Sequence, residues 1–164
     1  IASAVVDAWQ AASNGLYDIQ DPQQPRGNFR GRYVTDAQGR YCIETVVPPG
    51  YLVPNQGPSG ELLRQLGRHP WRAGHIHFKL SAAAHEPLTT QLFIDCDPHL
   101  QSDTTFAVRS GILRLREMAH GRDDDEAGKG QPAVCESEFD FVLARSASAP
   151  RVLKPAATLD GVQG

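Results

Sequence analysis

The residues Trp71-Arg-Ala-Gly-His-Ile-His-Phe78, WRAGHIHF, read as a β-strand with two chemically different faces. Side chains alternate along a strand, so His75 and His77 point one way while Ile76, Phe78 and Leu80 point the other. The apolar side asks for a core beneath a sheet. The other side offers two imidazoles; imidazole is the commonest metal ligand, although a strand histidine also packs against backbone carbonyls without holding anything.

Working outward, the same alternation predicts strands at residues 4–10, 31–35, 41–47, 74–81, 89–95 and 138–143. Asp36 and Gly39 suit a tight reversal joining the second and third of these as a hairpin. One short helix is expected over 60–66, GELLRQL, with Gly67 as its C-cap. Many short strands and a single short helix predict a mainly β chain, a β-sandwich more than a barrel. Residues 1–145 make one domain. The acidic stretch 119–131, which includes Asp123, Asp124 and Asp125, reads as a surface loop, and 146–164 as an extended C-terminal arm.

With 164 residues, 40% of them hydrophobic, the chain suits one domain with a real core. A net charge of −3 and a pI near 6.1 provide no basic field for nucleic acid or an anionic membrane. No apolar run approaches a membrane span. Cys42, Cys96 and Cys135 are widely spaced and odd in number, which argues against a disulfide framework and for a reducing, cytoplasmic setting. The opening IASAVVDAWQ begins inside alternating apolar sequence without a Met, so a larger protein with further N-terminal sequence is expected.

Two histidines need further ligands to make a metal site. Asp95 or Asp97 would complete a two-His-one-carboxylate ferrous site, and Cys96 would favour zinc or copper. A non-catalytic β-sandwich binding module, with the histidines merely hydrogen-bonded, also fits the composition. Tyr17 and Tyr51 are harder to place. Each lies in turn-like sequence, where an aromatic gains little burial, and a phenol with a pKa near 10 ligates only a strongly acidic cation such as ferric iron. Tyr33 and Tyr41 lie in strand sequence and need no such account.

The chain resembles the intradiol ring-cleavage dioxygenases, the group that cleaves catechol, hydroxyquinol and chlorocatechol. The resemblance runs from about residue 5 to 108 and is carried, in order, by VVDAWQAASNGLYDIQD, RGRYVTDAQGRYCIETVVPPGYLVPNQGPSGELLRQLGRHPWRAGHIHF, LTTQLF and DPHLQSD. Within these blocks Tyr51 follows Tyr17 by 34 positions and His75 follows Tyr51 by 24. The resemblance implies a non-haem Fe(3+) held by Tyr17, Tyr51, His75 and His77, with Tyr51 the axial ligand released when a catechol chelates. It implies cleavage between the two hydroxyl-bearing carbons by O2, giving a cis,cis-muconate-type product.

It further assigns Arg72 to stabilising negative charge on the substrate ring and Gln91 to orienting the substrate; otherwise they would be a surface salt-bridge residue and a strand-edge polar residue. Neither the binding module nor the zinc or ferrous enzyme accounts for tyrosines in turns. Most relatives read R-P-A-H-x-H where this chain has Arg72-Ala-Gly-His75, a loss of proline that should free the backbone and weaken iron retention. The family's N-terminal helical segment, which supports a homodimer and part of the pocket, is expected to lie outside this sequence. GRHPWR and GELLRQLG look like the hydroxyquinol and chlorocatechol branches and TTQLF like the catechol and chlorocatechol branches. Leu16, Val53 and residues 103–106 are the expected contributors to that choice.

Overall fold

The computed structural model of the chain describes residues 1–118 and 134–147. In chain order its elements are β1 (Val5–Gln10), β2 (Arg30–Val34), β3 (Tyr51–Leu52), α1 (Pro58–Gln65), β4 (Trp71–Arg72), β5 (His75–Ser81), β6 (Leu88–Ile94), β7 (Ile112–Leu113), β8 (Arg116–Glu117) and β9 (Cys135–Glu136). Five of them form one sheet in the order β2-β1-β5-β6-β7, antiparallel except where β7 joins β6. β3 pairs with β4 and β8 with β9 as separate two-stranded ladders.

The alternation of β5 decides which face of this sheet is the core. Ile76, Phe78 and Leu80 are buried with Val6 and Ala8 of β1, Leu92 and Ile94 of β6 and Leu113 of β7. Burying a side chain of this size stabilises the fold by roughly 1.5–3 kcal/mol. Tyr41, Ile43, Phe139, Phe141 and Leu143 pack onto that cluster from the other side.

Two expected strands take a different form. Residues 41–47 and 138–143 belong to no strand, although their alternation is real: Tyr41, Ile43, Phe139, Phe141 and Leu143 face inward and Cys42, Asp140 and Val142 outward. The Tyr41 hydroxyl donates to the Phe139 carbonyl at 2.8 Å, and the Tyr41 and Phe141 rings lie 6.0 Å apart. A phenol bridging two backbones holds them a side chain's length apart, wider than the ~4.8 Å of a ladder. They cover the core as extended segments joined by side chains.

The reversal after β2 forms as expected, with Gly39 N–H donating to Asp36 O and the Asp36 carboxylate accepting Gln38 and Arg40 N–H, but it leads into extended chain instead of a hairpin strand. α1 starts two residues before its expected position, with Pro58 in its first turn. It ends as expected: Gly67, at φ +63°, donates to Arg64 O while Arg68 N–H reaches Leu63 O. The loop 119–131 and nearly all of the C-terminal arm lie outside the described residues. Among the described residues no helix is long and apolar enough to cross a membrane.

Candidate metal centre

The sheet face opposite the core carries the site. Strand register sets Arg30 beside Trp9, Trp9 beside His77 and His77 beside Gln91, one row across β2, β1, β5 and β6. The next row sets His75 beside Phe93. Trp9 lies flat on the His77 ring at 4.9 Å and 4°, and Phe93 leans on His75 at 5.3 Å. Both imidazoles are thus held by aromatic neighbours before any ligand is considered.

Tyr17 arrives from a turn and Tyr51 from the short strand β3. Tyr17 sits in a turn tied by its own backbone, its N–H donating to Gln20 Oε1 and its carbonyl accepting Gln20 and Asp21 N–H. Tyr51 opens β3, directly opposite Arg72 of β4. Gly15, at φ +79°, lets the two meet, since a Cβ there would stand 3.2 Å from Tyr51 Cβ. The Tyr17 and Tyr51 rings are perpendicular at 5.7 Å, Tyr51 lies 5.5 Å from His75, and Tyr17 lies 6.2 Å from His77.

The histidine Nε2 atoms are 3.2 Å apart. His75 Nδ1 lies 2.7 Å from the Ala73 carbonyl, which can only accept, so that nitrogen carries the proton and Nε2 turns its lone pair inward. Burial pushes His75 down to about 3 and His77 down to about 4, the Arg72 charge adding to both, so both imidazoles are neutral at physiological pH. The Tyr17 hydroxyl is buried without a hydrogen-bond partner. Burial, with Tyr51 beside it, raises its pKa above the ordinary phenol value, against smaller opposite pulls from Arg72 and Arg30.

An inward lone pair on His75, the His77 Nε2 3.2 Å from it and a buried phenol are a donor set that suits a hard, strongly acidic cation. Two phenolates and a hydroxide would cancel three positive charges, leaving little net charge to hold in a half-buried site.

Arg72 is buried, not a surface salt-bridge residue. Its Nη2 donates to Gln91 Oε1 at 2.8 Å, while Nη1 lies 3.1 Å from His75 Nε2 and 3.4 Å from Tyr51 Oη. Gln91 lies on an inner strand of the sheet, with its side chain on this guanidinium. All six expected site residues, Tyr17, Tyr51, Arg72, His75, His77 and Gln91, therefore meet on one face.

The backbone that the missing proline should have freed is tied down: Ala73 N–H donates to Asp103 Oδ2 at 3.0 Å and Gly74 N–H to Asp97 Oδ2 at 2.8 Å. Asp97 is occupied there and Asp95 is exposed, as is Cys96. Among the described residues no group of three or more His, Cys, Asp or Glu is placed to hold a metal, so the two-His-one-carboxylate arrangement does not assemble. Of the expected pocket residues, Leu16 and Phe106 are exposed whereas Asp103 and Thr104 are buried.

Sequence reasoning missed Trp9 as a partner of His77, and the clamping roles of Asp97 and Asp103. A large aromatic on the less buried face of β1 was a readable signal for Trp9; the aspartates gave none, because their partners are 23 and 30 residues away.

A family model described as "Dioxygenase" matches residues 1–145. Hydroxyquinol 1,2-dioxygenase of Rhizobium sp. (strain MTP-10005) is 38% identical over 147 residues, covering 88% of this chain and 50% of the relative. Catechol 1,2-dioxygenase 2 of Acinetobacter lwoffii is 48% identical over 122 residues, 74% of this chain and 44% of the relative. The solved hydroxyquinol 1,2-dioxygenase from Pseudomonas putida DLL-E4 superposes with a TM-score of 0.79 at 39% identity, covering 89% of this chain and 51% of that one. The chain belongs to the intradiol ring-cleavage dioxygenase family, and it spans about half the length of the curated relatives it matches.

Proposed function

We propose that this chain carries the iron site of an intradiol dioxygenase, in which Tyr17, Tyr51, His75 and His77 hold Fe(3+) and a catechol-type substrate is cleaved by O2 between its hydroxyl-bearing carbons to a cis,cis-muconate-type product. The observation that carries this reading is the meeting of the Tyr17 phenol, whose hydroxyl is buried without a hydrogen bond, with Tyr51 and the paired Nε2 atoms of His75 and His77. When bound, ferric iron supplies the Lewis acidity that makes a chelated catechol dianion reactive toward O2.

The chain's own groups then have distinct tasks. His75 and His77 bind as neutral imidazoles, and Trp9 and Phe93 fix their ring planes. Beside its oxygen Tyr17 has only the Tyr51 phenol and no hydrogen-bonded cation. Tyr51 has one, because Arg72 Nη1 stands 3.4 Å from its hydroxyl, so Tyr51 Oη could take one of the catechol protons and remain held by the guanidinium. The Arg72 guanidinium offsets negative charge on the substrate ring, and Gln91 keeps it aimed. Catechol, hydroxyquinol and chlorocatechol all remain candidate substrates, with Leu16, Val53 and Phe106 bordering the choice. The three exposed, unpaired cysteines suit the reducing cytoplasm.

The test is a visible spectrum of the ferric-loaded protein before and after anaerobic catechol. Tyrosinate-to-iron absorption that moves to longer wavelength with catechol, and disappears in Tyr17→Phe, is expected. A protein that stays colourless after ferric loading would overturn the reading.

A further inference from the structure

Asp103 lies outside the ligand set, yet its carboxylate is among the most enclosed groups beside it, at 4% exposure. Oδ1 accepts the Thr105 N–H at 2.9 Å and its hydroxyl at 2.6 Å. Oδ2 accepts Ala73 N–H at 3.0 Å and stands 3.4 Å from Arg72 Nε. Arg72 Nε makes no directed hydrogen bond there, so that link is one of charge between two buried ions. Either ion alone would be expensive to bury.

Both links lead into the site. The guanidinium is a rigid planar fork, so restraining Nε aims Nη1 at His75 and Tyr51 and Nη2 at Gln91. Ala73 is held at both ends, its N–H by Asp103 and its carbonyl by His75 Nδ1. A proline at 73 would have no N–H to give; alanine there creates the connection from Asp103 through one residue to the His75 ring.

We propose that Asp103 is the positioning residue of this centre, aiming the Arg72 guanidinium and, through residue 73, setting the His75 ring. It rests on the reading of His75 as a ligand and of Arg72 as the group that offsets substrate charge.

The first measurement does not depend on iron: hydrogen exchange of the Arg72 Nε–H by NMR in the full chain, the signal assigned by its loss in Arg72→Lys. Exchange is expected to be about tenfold faster in Asp103→Asn and Asp103→Ala. Unchanged exchange in a folded Asp103→Ala chain overturns the proposal. Should both variants fail to fold, Thr105→Val removes the hydroxyl that orients the carboxylate and carries the same test.

The second measurement uses the ferric-loaded chain. Asp103→Asn is expected to lower kcat by about 10- to 100-fold with KM changed less than about threefold and the tyrosinate absorption retained. In an Arg72→Met background the same substitution should add less than about twofold. Equal losses in both backgrounds would mean a merely structural role and overturn the proposal. A wild-type chain with neither colour nor ring cleavage, in which Arg72 exchange still depends on Asp103, would overturn the iron reading and leave the positioning intact.

Discussion

Tyr17 and Tyr51 are the same residue type in opposite situations. The Tyr51 hydroxyl has a guanidinium within 3.4 Å, whereas the Tyr17 hydroxyl is buried beside the Tyr51 phenol without a well-formed hydrogen bond. An unsatisfied buried hydroxyl costs roughly 1–3 kcal/mol, a cost that a cation replacing its proton would remove. Tyr17→Phe should therefore stabilise the iron-free protein by about 1 kcal/mol in urea unfolding while abolishing the ferric colour. A comparable destabilisation in the iron-free state would show that the hydroxyl is satisfied in a way this geometry does not provide.

At the scale of elements, the site depends on β5, the Tyr17 turn and β3 meeting. His-x-His was legible in sequence because both residues share β5, and their common face follows from strand geometry alone. The tyrosines needed the family resemblance, since nothing local states that the Tyr17 turn and the Tyr51 strand converge. Gly15 is where they touch: Gly15→Ala places a Cβ 3.2 Å from Tyr51 Cβ on a backbone at φ +79°, a conformation costing an L-residue about 1–2 kcal/mol. It should push Tyr51 outward and weaken ferric binding by about tenfold, read by titrating the visible absorption. Unchanged affinity with an unchanged fold would mean the two segments have room to adjust.

The alternation at 41–47 and 138–143 was legible too, but only as a statement of which side faces the core. Whether two backbones approach closely enough to pair depends on what lies between them, and here the Tyr41 ring does. Asp97 and Asp103 were illegible for a related reason: an aspartate in a polar loop looks the same whether it faces water or caps a backbone N–H across the fold.

For the molecule as a whole, one buried and one half-buried imidazole link stability to pH. Their folded-state values, about 3 and about 4, lie below the ordinary 6.5. The unfolded chain therefore binds protons that the folded chain refuses, and their stabilising contribution, complete above pH ~6.5, declines as pH falls through that window. Iron retention should weaken in the same direction, because protons compete for the same nitrogens. The urea midpoint of the iron-free protein should be lower at pH 5 than at pH 7, and His77→Gln should shrink the difference. Equal midpoints at the two pH values would show that the rings are protonated, or solvated, without loss of the fold.

The coplanar stack of Trp9 on His77 has an optical consequence. Of the chain's two tryptophans, Trp71 rests on His99 at the surface, while Trp9 is separated from the proposed iron by one imidazole. A ferric ion bound there, with its broad absorption, would drain the excited indole across that ring. Trp9 emission should therefore fall as ferric iron is added, a decrease that a fluorescence titration reads directly.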